Sequence, residues 1–191
     1  MIKNLEIITV SEANEQFPRS SEGTVMELTN GDLFIIWQRY EESDKGSEDD
    51  APNKLVSMRS EDGGRTWQDL RIEVVPEPGD VNVYSPNLIR LSNGNILFVY
   101  KRYISLGDGK PTLATAMACI SEDECETFSD PVVMWESEPY GFASDSIRLL
   151  SDGTLILPLG MTQTGTWGSD NENHIVGCAV SDDQGINLED I

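Results

Sequence analysis

Short apolar runs alternate with turn-forming pairs along nearly the whole chain. Val25-Met26-Glu27-Leu28 aligns with Leu88-Ile89-Arg90-Leu91 and Ile147-Arg148-Leu149-Leu150, and the stretch from Leu33 to Trp37 aligns with Ile96 to Tyr100 and Leu155 to Leu159. Between the two sets lie Asn30-Gly31, Asn93-Gly94 and Asp152-Gly153. Such pairs favour tight hairpin turns, because glycine reaches positive φ without a Cβ penalty. Apolar runs this short, bounded by turn residues, predict strands.

A second landmark recurs at the same period. Ser60-Glu61-Asp62-Gly63-Gly64-Arg65-Thr66-Trp67 predicts a tight turn in which Asp62 accepts backbone N–H bonds and the two glycines supply positive φ. Ser121 to Phe128 repeats the pattern 61 residues later, and Ser181 to Leu188 repeats it more loosely after another 60. Each unit therefore holds two hairpin signals and about four short strands. The expected fold is all-β: a β-propeller of four-stranded antiparallel blades, spanning residues 17–78, 79–138 and 139–191, the third incomplete. Leu5 to Val10 is read as an additional N-terminal strand.

The Ser-x-Asp-x-Gly-x-Thr-Trp turn within this blade pattern resembles the Asp-box, or BNR, repeat of the sialidase (neuraminidase) superfamily. Ser60–Trp67 matches in full. The second copy has Cys125 at a turn-glycine position and Phe128 for Trp, and the third has Asn187 for Thr and Leu188 for Trp. The resemblance implies a six-bladed propeller, of which this chain would be the N-terminal half. It also implies hydrolysis of terminal sialic acid, or a related acidic sugar, from glycans. Asp-boxes sit away from the active site, so they support the fold more than the activity.

Charge changes this picture. The formal net charge of −21 over 191 residues disfavours nucleic acid and anionic membranes as partners. It also opposes an anionic sugar, although screening over roughly 10 Å at moderate salt lets a local cluster of arginines prevail. Cys119, Cys125 and Cys178 form an odd set without Cys-x-x-Cys spacing, and His174 is the one histidine. Reduced thiols are expected, with no metal site and no cofactor. The first ten residues lack the apolar core of a secretory signal, which predicts a cytoplasmic chain as written. Export, to the periplasm or beyond, would need an incomplete N-terminus. Unpaired outer blade faces predict self-association.

Candidate site residues come from the lead-ins to the innermost strands, which converge on a propeller's central opening. These are Phe17 to Gly23, Asn82 to Pro86 and Phe142 to Ser146. The sialidase Arg-Ile-Pro motif would fall at Ser21; here the sequence is Pro18-Arg19-Ser20-Ser21-Glu22-Gly23, similar to a divergent branch of the superfamily. Arg19, Asn82 and Asp145 are the substrate-binding candidates at these lead-ins, with Glu22 added as a catalytic one. Arg39 and Arg102 occupy matching positions after their turn glycines and could bind a carboxylate or pair with surface acids. By the resemblance, the general acid/base aspartate belongs on the acidic loop between Tyr40 and Lys54, with Asp50 the first choice and Asp49 the second. The tyrosine nucleophile of that family would come from later blades. Tyr84 and Tyr140 are read as pocket-wall or core aromatics. The chain alone is therefore expected to be inactive.

Three functions stay open at this point: a sialidase-like exo-glycosidase, a propeller that binds glycan without cleaving it, and a structural or interaction propeller. A glycan or glycoside is the partner expected under the first two.

Overall fold

The computed structural model describes residues 5–46, 48–105, 111–138, 140–162 and 174–182. Its described residues form antiparallel sheets and no helix. The first sheet has the order β1 (Arg19–Glu27), β2 (Leu33–Tyr40), β3 (Asn53–Ser60) and β4 (Gln68–Val74). The second repeats it with β5 (Asp80–Arg90), β6 (Ile96–Ser105), β7 (Pro111–Ser121) and β8 (Val132–Glu138). In the third, β11 (Leu155–Thr162) lies between β12 (His174–Ser181) and an interrupted inner strand made of β9 (Tyr140–Gly141) and β10 (Arg148–Leu149). These meanders are the blades of an all-β propeller.

Burial explains their stacking. On β2, Phe34, Ile36, Gln38 and Tyr40 share one face and are fully buried, as period-two alternation requires. On β6, the unbroken run from Ile96 to Tyr100 is buried on both faces, which marks the second sheet as the middle layer. One core, with Phe34, Ile36, Leu55, Val83, Leu88, Phe98 and Met117, joins the first and second sheets. A second, with Leu97, Val99, Leu155, Leu157 and Leu159, joins the second and third. Ala116 and Ala118 line β7 on that side, and their small side chains admit close approach. The outer faces leave Val25 and Val176 exposed.

The Ser60–Trp67 turn forms as its sequence predicts. Asp62 Oδ1 accepts from Arg65 N at 2.9 Å and Thr66 N at 2.8 Å, while Oδ2 accepts from Thr66 Oγ1 at 2.8 Å. These donors hold its carboxyl well below the usual range, at about 2. Trp67 is half-buried and donates Nε1 to Gly64 O at 3.0 Å. Asp123 makes the equivalent bonds to Thr127 N and Oγ1 at 2.9 and 2.6 Å. Here Glu124 and Cys125 take the glycines' places at φ 59° and 62°, where Gly63 and Gly64 have 70° and 87°.

That strain is offset by contacts across the seam between sheets. Glu124 receives Arg90 at 2.7 and 2.9 Å and Thr29 N at 2.9 Å, while its carbonyl accepts Arg59 NH2 at 2.8 Å. Arg71 NH2 donates to Cys125 O at 2.9 Å, and the Cys125 side chain enters the first core. The third copy of the turn extends into residues 183–188, outside the described residues.

The Leu5–Val10 segment departs from expectation, because it runs as irregular chain. A strand needs a neighbouring edge for its N–H and C=O groups, and no described strand pairs with it. Ser11 instead contacts Ser20 Oγ at 3.0 Å, and Thr9 and Val10 line a hollow beside Ile35 and Trp37.

Candidate functional site

The sheets have two ends. One carries the hairpin turns; at the other, the buried stripes change character. Phe34 and Ile36 on β2 give way to Gln38 and Tyr40, and Leu97 and Val99 on β6 give way to Lys101 and Tyr103. Polar side chains thus continue the core into a concavity of about 330 Å³, lined by Glu22, Tyr84, Ser85, Lys101, Tyr103 and Phe142 among others.

The innermost strands bend here. Register shifts between Ser21 and Gly23 and between Tyr84 and Asn87 coincide with positive φ at Glu22 (21°) and Ser85 (54°). Bulges re-aim side chains next to functional sites. Asp145, one residue further along in the third unit, has φ 52°.

Cross-sheet bonds hold the three inner segments together. Thr24 Oγ1 donates to Asp145 Oδ1 at 2.9 Å, and Asp145 N donates to Pro86 O at 3.2 Å. Asn87, fully buried, donates Nδ2 to Ala143 O at 3.0 Å and accepts at Oδ1 from Ser146 N and Ile147 N at 2.6 and 3.0 Å.

A hydrogen-bonded chain runs across the site. Tyr84 OH donates to the Asp49 carbonyl; Tyr40 OH lies 2.7 Å from Tyr84 OH and 3.1 Å from Gln38 Oε1, with one proton to share between them. Gln38 Nε2 donates to Glu22 Oε2 at 3.1 Å. Asn82 Nδ2 donates to Asp49 O at 2.7 Å and Ala51 O at 3.3 Å, while Asn53 Oδ1 accepts Val83 N at 2.9 Å. Both asparagines are buried, so they anchor the acidic loop to the second sheet. Burial first, and then the bond shared with Tyr40, pushes the Tyr84 phenol far above its ordinary value, which makes it a poor nucleophile.

Of the sequence-predicted residues, Arg19, Asp49, Glu22 and Asn82 belong to this one network. Arg19 NH1 pairs with Asp49 Oδ1 at 2.7 Å and lies over the Tyr40 ring at 4.4 Å. Asn82 is an anchor, buried beneath the loop. Asp145 bonds to Thr24, on the inner segments. Asp50, the first choice on the acidic loop, turns back to Lys45 Nζ at 2.6 Å, whereas Asp49 faces Arg19. The reason is local: successive residues of a turn point apart, and Lys45 is the nearer cation for Asp50.

Arg39 and Arg102 do not join. Arg39 sits on the opposite face of β2, 3.9 Å from the Phe17 ring centroid, and burial lowers its pKa. Arg102 is held bidentately by Asp80 at 2.8 and 3.0 Å and by Glu77 at 2.8 Å. Sequence reasoning missed Lys101, Tyr40, Gln38 and Tyr103. The signal for Lys101 was present: it interrupts an apolar run at a core-facing position.

Lys101 is 4% exposed. Its Nζ lies 5.1 Å from the Tyr103 and Phe142 ring centroids and 6.0 Å from that of Tyr84, with a 3.4 Å bond to Tyr103 OH. Burial lowers its pKa to about 8, against an opposing pull from Glu22. Among the described residues, no group of three or more His, Cys, Asp or Glu side chains could hold a metal ion. Two acids, one buried cation and three aromatic rings can hold a polyhydroxylated ligand and exchange protons with it.

No family model and no curated protein matches this chain. Solved structures do. A protein of unknown function from Dyadobacter fermentans superimposes with a TM-score of 0.71 at 19% identity, covering 94% of this chain and 55% of that one. A Hadza microbial sialidase gives 0.68 at 16% identity over 90% of this chain and 37% of that one. The GH93 α-L-arabinofuranosidase of Fusarium graminearum, solved with arabinobiose, gives 0.62 at 17% identity over 93% and 50%. These likenesses show that the chain shares the β-propeller fold of these structures. It spans about half, or less, of each neighbour's length.

Proposed function

We propose that this chain is part of a sialidase-like exo-glycosidase, and that the concavity at Glu22 holds the terminal sugar. One observation carries the reading: acids from two separate parts of the chain, Glu22 on the β1 bulge and Asp49 on the loop between β2 and β3, join one network beside a concavity with aromatic walls. The named glycoside hydrolases among the fold neighbours support it, as do the Asp-box turns recognised in the sequence.

The chemistry asked of these residues is proton transfer. Asp49, with its side chain 82% exposed, can reach a glycosidic oxygen, and a carboxylic acid there protonates the leaving group. Arg19 orients that carboxyl by a charge-assisted bond. Glu22 accepts from Gln38 through one oxygen and keeps the other for a sugar hydroxyl or an attacking water. The nucleophile expected from the family resemblance would lie beyond these blades.

A panel of fluorogenic glycosides, neutral and acidic, assayed on the full-length protein tests the reading. Turnover of at least one, lost in Asp49→Asn, is the expected result; a well-folded protein that turns over none would sink the enzymatic reading. A glycan-binding propeller without turnover is the second reading, favoured by Arg102 being fully engaged by Asp80 and Glu77. Binding without turnover on the same panel would select it.

A further inference from the structure

The charges around the concavity discriminate between classes of sugar. Lys101 presents an ammonium with three protons and one bond, at 3.4 Å, among the described residues. Burying a charge so incompletely paired is costly, and the ring faces of Tyr103 and Phe142 offset only part of that cost. Glu22 is near enough to act electrostatically on Lys101, yet the two form no contact ion pair. An opening therefore separates a donor with unused protons from an acceptor that is half used.

We propose that the concavity takes a neutral sugar residue, whose hydroxyls bridge from the Lys101 ammonium to the Glu22 carboxylate along the faces of Tyr103 and Phe142. This rests on the glycan reading given above and departs from the acidic sugar that the sequence resemblance implies.

Hydroxyl groups suit the gap because each both donates and accepts, so a vicinal pair can satisfy Lys101 and Glu22 together. A carboxylate would satisfy Lys101 but set a second negative charge against Glu22. Among the described residues, the three arginines singled out in the sequence are engaged elsewhere. Arg19 is paired with Asp49, Arg102 with Asp80 and Glu77, and Arg39 lies over Phe17 on the far face of its sheet. The long-range field opposes an anion as well, at a net charge of −21. The volume of about 330 Å³ lies at the lower end of small-molecule sites, suited to a single sugar ring.

Titration calorimetry of the full-length protein tests this with methyl glycosides of glucose, galactose and arabinose, set against glucuronic acid and N-acetylneuraminic acid. The expected result is that at least one neutral glycoside binds about tenfold more tightly than either acid, and that Lys101→Met and Glu22→Gln each weaken it by about tenfold. Circular dichroism checks the fold of both variants, and Lys101→Gln replaces Lys101→Met if the latter does not fold. Tighter binding of an acid, lost in the Lys101 variant, would overturn the substrate class while leaving the glycan reading intact. Neutral binding indifferent to both variants would overturn the assignment to this concavity. Saturation by none of the five sugars would overturn the glycan reading and this inference together.

Discussion

Acidic side chains sit at both ends of these sheets, in opposite chemical situations. At the turn end, Asp62 and Asp123 are each bonded by the N–H and hydroxyl groups of their own turn, so every strong donor within reach is taken. At the other end, Glu22 is bonded by Gln38 of the neighbouring strand and keeps one oxygen facing a hollow, while Asp49 is bonded by Arg19 and stays exposed. A carboxylate satisfied by its own backbone fixes a turn and does nothing else. One satisfied only in part, by a side chain on another element, stabilises little and remains open to a ligand.

The largest expected effect breaks the comparison if it fails. Asp49→Asn and Glu22→Gln should each lower turnover of a responsive glycoside by about 10²–10⁴-fold, the range for losing a positioned acid or base, while the melting temperature holds. Asp62→Asn should do the reverse, lowering the melting temperature without changing the rate. A rate loss in the turn variant, measured by the same fluorogenic assay, would merge the two classes of acid.

Next come the two turns themselves. Cys125→Val places a β-branched residue at φ 62° and should cost about 2–3 kcal/mol in urea unfolding. Cys125→Gly removes the strain together with a buried side chain, and the two changes should cancel to within about 1 kcal/mol. Gly64→Ala, at φ 87°, should cost about 1 kcal/mol. Equal costs for Gly64→Ala and Cys125→Gly would show that the seam contacts do not compensate the second turn.

The two ends should also titrate on opposite sides of neutrality. Asp62 has a depressed pKa, so its contribution is complete above the ordinary aspartate range and disappears as pH falls to about 2. Lys101 is a cation whose folded pKa is lowered to about 8. Between there and the ordinary lysine range the unfolded chain binds more protons, so stability should rise with pH. Glu22 from β1, Tyr84 from β5 and Tyr103 beside it on β6 face that ammonium, and Lys101→Met should flatten the alkaline slope. Smallest of all, Asp50→Asn should leave turnover within about twofold, because an exposed ion pair such as that with Lys45 contributes only about 0–1 kcal/mol.

Strands, turns and their repetition were legible because they depend on local chemistry: alternation along β2, the continuous apolar run of β6, and the Asp62 and Asp123 turns. The concavity was legible only at its lead-ins. Glu22 could be named from the alignment of strand lead-ins and Asp49 from the family resemblance, but which of two adjacent aspartates faces Arg19 depends on loop conformation. Lys101 escaped because its meaning comes from Phe142 and Glu22, on other sheets. The Leu5–Val10 segment has the composition of a strand, yet pairing needs a partner edge that composition cannot supply.

The seam between the first two sheets carries its own clock. Cys119 and Cys125 are buried within it, and burial pushes both thiols up to about 12, so neither offers a thiolate to an alkylating reagent near neutral pH. Cys178 is exposed. Iodoacetamide should therefore modify Cys178 at once and the other pair only as fast as the blades part. The chain's mass spectrum over time then reads the opening rate of that seam without any added label.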